Sequence, residues 1–181
     1  MLAVEPGSYA RTILRVALTF NRIRNVAVLP MALGERAGVM TLTMPLKRSG
    51  GFGFGLSHLG AHARPGQVKT EVVAVATLDE VAASLDLPRL DFIKADIEGW
   101  ECHLLRGARR TLERLKPTLF LEMNAAQLER AGDSLESAWA LLTGLGYRPH
   151  SASASGEFSP IAAAVEGNVW WLPPGRAPIE D

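Results

Sequence analysis

The 181 residues are one domain's worth of chain, enough to bury a sizeable core, and 48% apolar with 21% charged residues is an ordinary globular composition. Nineteen basic and nineteen acidic side chains cancel, which gives no support to a polyanion-binding or membrane-surface protein. The single cysteine, Cys102, excludes an intramolecular disulfide and a cysteine-cluster zinc site, and with no apolar run of about 18 residues and no charged-then-apolar leader a cytoplasmic address is expected.

Met1 to Pro6 reads as the end of a strand that runs straight into a helix start. Ser8 is placed to cap a helix through about Asn21, whose Tyr9, Ile13, Val16, Ala17 and Phe20 share one face while Arg11, Arg15 and Arg22 lie elsewhere. Asn25 to Leu33 and Val39 to Met44 then predict two β segments, joined as a hairpin by the turn at 34–38. Residues 47–66 break every periodicity, with glycines interleaved among Phe52, Phe54, Leu56, His58 and His62. This predicts a flexible loop, a candidate lid or substrate wall with Phe54 and His58 as contacts. Its GFGFG string follows no buried strand and is rejected as a nucleotide-binding loop. His58 and His62 have metal-ligand spacing only in a helix, which Gly60 opposes, so no metal is expected.

Lys69 to Ala76 is β-rich, and Thr77 with Glu80 forms a capping box for a helix from Leu78 to Leu85. Leu90, Phe92, Ile93, Ala95 and Ile97 then make the near-continuous apolar run of a strand covered on both faces, with Lys94 its one charge. Asp96, Glu98 and Glu101 crowd around Gly99, where strand turns into helix. Ligands bind beyond the carboxyl ends of parallel strands, so acids at that edge are candidates for chemistry. Capping of the following helix, or an ion-pair network with Lys94, is the other reading of the same residues. Leu104, Leu105, Ala108, Leu112 and Leu115 predict a helix covering the sheet, with Arg106, Arg109, Arg110, Arg114 and Lys116 as a solvated outer face and Pro117 as its stop. Thr118 to Met123 is a second buried parallel strand that brings Glu122 and Asn124 to the edge of Asp96 and Glu98. Short helices are expected at 125–130 and about 135–145. Arg148 to Ser153 and Asn168 to Leu172 make an antiparallel pair around a small-residue loop, and the tail at 173–181 is expected to fray.

The string DFIKADIEGWE, followed by LRGA at 105–108 and KPTLFLEMN at 116–124, resembles the signature of the FkbM-type S-adenosylmethionine-dependent methyltransferases. VEP, ALGERAG, TLDE, GY and NVWWLP fall outward from it in the right order, so the likeness covers nearly the whole chain. It implies a single α/β domain over 1–181 with a Rossmann-like class I methyltransferase sheet, mostly parallel with a C-terminal antiparallel hairpin. It also implies methyl transfer from S-adenosylmethionine to a hydroxyl of a small molecule or saccharide. Glu5 stands where an acid accepts ribose hydroxyls, Ala32 and Leu33 where the adenine is lined, and Asp96 at the amine or methyl end. Glu98 is the implied base or acceptor-orienting group with Glu122 in support, and Trp100 is a substrate wall.

The family's first strand and glycine-rich loop have no counterpart before Glu5. Their absence predicts a truncated form of a longer protein, with exposed sheet edges that a second copy or a partner chain would cover. A catalytically inactive remnant or interaction domain of the same fold, and an NAD-dependent Rossmann-type oxidoreductase, are the alternatives.

Overall fold

The computed structural model describes residues 1–45, 58–59 and 68–175, and the chain divides into two compact units, Met1–Thr77 and Leu78–Asp181. In the first, β1 (Leu2–Val4), α1 (Ser8–Phe20) and β2 (Ala27–Leu29) form a β-α-β unit whose strands pair in parallel. The helix forms where its periodicity predicts, but Ser8 is its first residue rather than its cap. Gly7 holds the capping position, and Glu71 accepts from the Ser8 amide and hydroxyl at 3.0 and 2.9 Å. A carboxylate there also meets the positive end of the helix dipole. The expected apolar face is not buried: Tyr9, Ile13, Val16 and Phe20 are 45%, 49%, 64% and 86% exposed. A two-stranded sheet, with strands about 4.8 Å apart, is narrower than the helix it would have to cover.

The predicted hairpin is corrected. β3 (Ala32–Leu33), β4 (Gly38–Pro45), β5 (His58–Leu59) and β6 (Val68–Ala76) lie in the order β3-β6-β4-β5. β6 is inserted between the two segments, parallel to β3 and antiparallel to β4 from Gly38↔Val75 to Pro45↔Val68. The β6 pairing recruits a segment far along the chain, which no turn signal reveals. Leu42, Met44, Val73 and Val75 are buried, whereas Val39 and Val72, on the opposite face, are 73% and 74% exposed. Most of 47–66, Phe54 included, lies outside the described residues, as does the tail beyond 175; within the expected loop, His58 and Leu59 pair with Thr43 and Leu42.

In the second unit, α2 (Leu78–Ser84), β7 (Phe92–Ala95), α3 (Glu101–Arg106), α4 (Arg109–Leu115) and β8 (Thr118–Met123) are followed by α5 (Ala125–Arg130), α6 (Leu135–Gly144), β9 (Arg148–Ala152), β10 (Phe158–Pro160) and β11 (Gly167–Leu172). The sheet order is β10-β9-β11-β8-β7, with β7 and β8 parallel and the β9–β11 pair antiparallel, as expected. Leu119, Leu121, Met123, Val169 and Trp171, each at most 1% exposed, form the face that packs under α3 and α6, where Trp139 meets Trp171 edge-on at 4.8 Å. The opposite face carries Phe92, Phe120, Phe158 and Trp170, whose rings lie 4.6–5.8 Å from Trp170. β7 is therefore not buried on both faces: Phe92 is 46% exposed and only Ala95 is buried.

The predicted helix after Gly99 is broken into α3 and α4 at Gly107 and Ala108, and α4 is capped from outside. Asp79 of α2 accepts from the Thr111 amide and hydroxyl, both at 2.7 Å, and from the Arg110 amide at 3.1 Å. Burial works to raise the Asp79 pKa, but these bonds prevail and hold it below the ordinary 3.8. Asp79→Ala removes the cap, and urea unfolding should show a loss of about 1–2 kcal/mol. The stabilisation is present above the ordinary carboxylate pKa and is lost as pH falls through the depressed one. The basic residues are not a purely solvated face either, because Arg106 grips Asp133 through two guanidinium nitrogens and Asp133 is only 5% exposed. No helix among the described residues is long and apolar enough to cross a membrane.

Candidate active site

The β7–β8 register fixes which acids meet. Lys94 faces Phe120 and Ala95 faces Leu121, so one step further Asp96 and Glu122 emerge side by side at the carboxyl ends of the two strands. Lys94 Nζ lies 3.6 Å from Asp96 Oδ2. Burial, a hydrogen bond with Asp96 and the charges of Asp96 and Glu98 raise the Glu122 pKa, while Lys94 acts the other way. The neighbouring carboxylates therefore make Glu122 the more ready of these strand-end acids to hold a proton.

Glu98 and Gly99 both adopt the left-handed region, with φ of 59° and 96°. Helix α5 fastens them. Asn124 caps that helix by accepting from the Gln127 amide at 3.1 Å, and Gln127 Nε2 then donates to Glu98 Oε2 at 2.7 Å. Arg130 donates to the Glu98 carbonyl at 3.1 Å. Gly99 is pressed against Gln127 so closely that a Cβ would overlap the Gln127 carbonyl and stand 2.9 Å from its Cβ. Gln127 was not among the residues expected in the site, although Asn124 and Gln127 have the spacing of a capping box. That pattern marks the helix start but not the fact that the glutamine side chain reaches across to another strand end.

Glu101, the first residue of α3, is 1% exposed. Its Oε1 accepts from the Ile97 amide at 3.0 Å, closing the turn from 97 to 101, and its Oε2 is buried without a hydrogen-bond partner. Burial pushes this carboxyl up to about 7; the charges of Glu122 and Asp96 act in the same direction, and the Ile97 amide against it.

Trp100, the N-cap residue of α3, stacks on His103 of that helix at 3.8 Å, and its indole nitrogen is buried without a partner. Beneath it His103 Nε2 lies 3.2 Å from the Ala131 carbonyl, and burial pushes the Cys102 thiol up to about 12, with Asp133 adding to the shift. The Cys102 thiol is thus an inert core group.

The residues expected to hold the cofactor's nucleoside part lie in the first unit. Glu5 follows β1 directly, and its carboxylate turns back to accept from the Gly7 amide at 2.8 Å. Arg11 Nη1 bonds the Glu5 and Pro6 carbonyls at 3.1 and 2.7 Å. Burial raises the Glu5 pKa, Gly7 and Arg11 oppose it, and Glu71 adds to the rise. Ala32 is buried in β3 and Leu33 half-buried, and the Gly34 amide donates to the Ala76 carbonyl at 2.9 Å. His58 belongs to this unit through β5, with its side chain outside the described residues. Among the described residues no group of three or more His, Cys, Asp or Glu is placed to hold a metal ion.

The crystal structure of Methyltransferase FkbM from Methylobacillus flagellatus KT is similar to this chain with a TM-score of 0.53 and 19% identity. The match covers 94% of this chain and 36% of that one, so the present chain spans about a third of the other's length. At that identity the likeness shows the Rossmann-like fold. No curated protein matches the sequence. The model of the Methyltransferase FkbM domain matches residues 1–149, and the acidic turn, the β8 end and the Glu5 strand end all fall within that span. The chain therefore belongs to the FkbM methyltransferase-domain family.

Proposed function

We propose that this protein transfers a methyl group from S-adenosylmethionine to a hydroxyl of a small molecule or saccharide. The observation that carries the reading is the set of acids at the carboxyl ends of β7 and β8, with Asp96 and Glu122 side by side and a third, Glu98, fixed in direction by α5. When bound, the cofactor supplies an electrophilic methyl carbon on a sulfonium, so the protein has to align an acceptor oxygen and take its proton. Glu98 suits these tasks as base or acceptor-orienting group, with Glu122 in support.

Glu5 suits a ribose. It is held by the Gly7 amide through one oxygen, and a carboxylate has lone pairs for further hydroxyl donors. Ala32 and Leu33 suit an adenine's apolar surroundings, and Asp96 is also the acid proposed for the cofactor's amine or methyl end. Trp100, Phe54 and His58 remain the proposed substrate contacts. Fold alone does not choose the acceptor.

Glu5→Ala should weaken S-adenosylmethionine binding about tenfold in a calorimetric titration, the value of roughly one charge-assisted hydrogen bond. Glu98→Gln should lower turnover about 100-fold with cofactor affinity kept, as assayed by transfer of a labelled methyl group to a panel of hydroxylated acceptors. Unchanged cofactor affinity in the first variant and unchanged turnover in the second would refute these roles.

A further inference from the structure

Glu101 has no assigned part in the chemistry, yet it is a buried acid with an unpartnered oxygen. A carboxyl that is 1% exposed and has an oxygen without a partner is costly, because a buried acceptor loses water and gains nothing in return. It lies on the first turn of α3, and its other oxygen holds the Ile97 amide, inside the segment that carries Asp96 and Glu98. The charged groups acting on it are Asp96, at the end of β7, and Glu122, on β8. Glu122 in turn feels Asp96, Glu98 and Lys94, and on its own helix Glu101 acts on Cys102.

We propose that Glu101 is the positioning residue of this site, which fixes the turn from Asp96 to Gly99 and, through its own charge, sets how readily the neighbouring Glu122 accepts a proton. The catalytic consequence rests on the methyl-transfer reading. When Glu101 is neutral Glu122 is a weaker proton acceptor; when it is ionised, repulsion between the carboxylates makes Glu122 a stronger one, suited to the proton that an acceptor hydroxyl would give up as its oxygen bonds the methyl carbon and the methyl carbon–sulfur bond breaks to leave a thioether. The ordinary turn-closing role would be served equally well by the neutral, isosteric glutamine, whose carbonyl accepts from the Ile97 amide.

The test is a titration of the unliganded chain carrying 13C-labelled Asp and Glu carboxyl carbons, followed by NMR. One carboxyl resonance should titrate with a midpoint near 7, and the Glu122 resonance should show a second inflection at the same pH. In Glu101→Gln both the resonance and the second inflection should vanish. The inflection in the unaltered chain reads the coupling even if that variant does not fold. The methyl-transfer rate of the unaltered chain should step down to a lower plateau as pH falls through that midpoint, and the variant should lose this step instead of being depressed equally at every pH. A Glu122 resonance without an inflection near 7 would overturn the proposal. Failure of S-adenosylmethionine to bind would sink the function and leave the carboxyl titration to be read on its own.

Discussion

Urea unfolding followed through tryptophan fluorescence should show the second unit losing about 3 kcal/mol of stability between about pH 5 and pH 8 through Glu101, a loss that Glu101→Gln removes. The folded carboxyl has a pKa of about 7 against an ordinary 4.5, so between these values the folded state holds a proton that the unfolded chain has released. The stabilisation is full below 4.5 and is lost as pH rises through 7. The difference of about 2.5 units, at about 1.4 kcal/mol per unit, gives the stated figure. Glu122 is raised as well and contributes with the same sign, so the diagnostic quantity is the difference in slope between the two proteins. Trp100, Trp139, Trp170 and Trp171 all lie in the second unit, so their emission reports the relevant transition. Parallel stability curves would mean that Glu101 ionises as an ordinary surface acid does.

Gly99→Ala should be the most damaging small substitution in the same unit, costing about 3 kcal/mol or more. Two penalties add. Alanine is strained at a φ of 96°, and its methyl group would meet the Gln127 backbone, which the Asn124 cap and the Glu98 bond hold in place. Gly132→Ala supplies the control, since its φ is 87° but a Cβ there meets nothing within 4 Å. That variant should lose only about 1 kcal/mol, the conformational part alone. Equal losses in thermal or urea unfolding would show that the packing of α5 on the acidic turn is not what fixes Glu98.

The parts of this architecture that were legible in the sequence are those governed by neighbouring residues. Asn124 and Ser134 cap α5 and α6 where the helices were expected, and the β9–β11 pair and the parallel β7–β8 pair follow from their apolar runs. The acids at the strand ends were legible for the same reason, because strand register follows from alternation. Long-range partners were not. The β6 insertion between β3 and β4 depends on a segment whose strand character was visible but whose partner was not. The exposure of Phe92 likewise depends on which face the helices cover. Within the site, Glu98 and Glu101 flank the same glycine, and nothing in their spacing tells that one is gripped by Gln127 while the other turns into the core. Asp79 belongs to the same class, since its bonds reach a helix that begins 30 residues later at Arg109.

Calorimetric titration of the chain with S-adenosylmethionine, with NAD as the control, tests the functional claim most directly. Methyltransferase function predicts saturable binding with a dissociation constant roughly in the micromolar range, weakened by Glu5→Ala, and no heat with NAD. No binding of either ligand would mean a domain that keeps the FkbM fold without its cofactor, and binding of NAD alone would replace methyl transfer by hydride transfer.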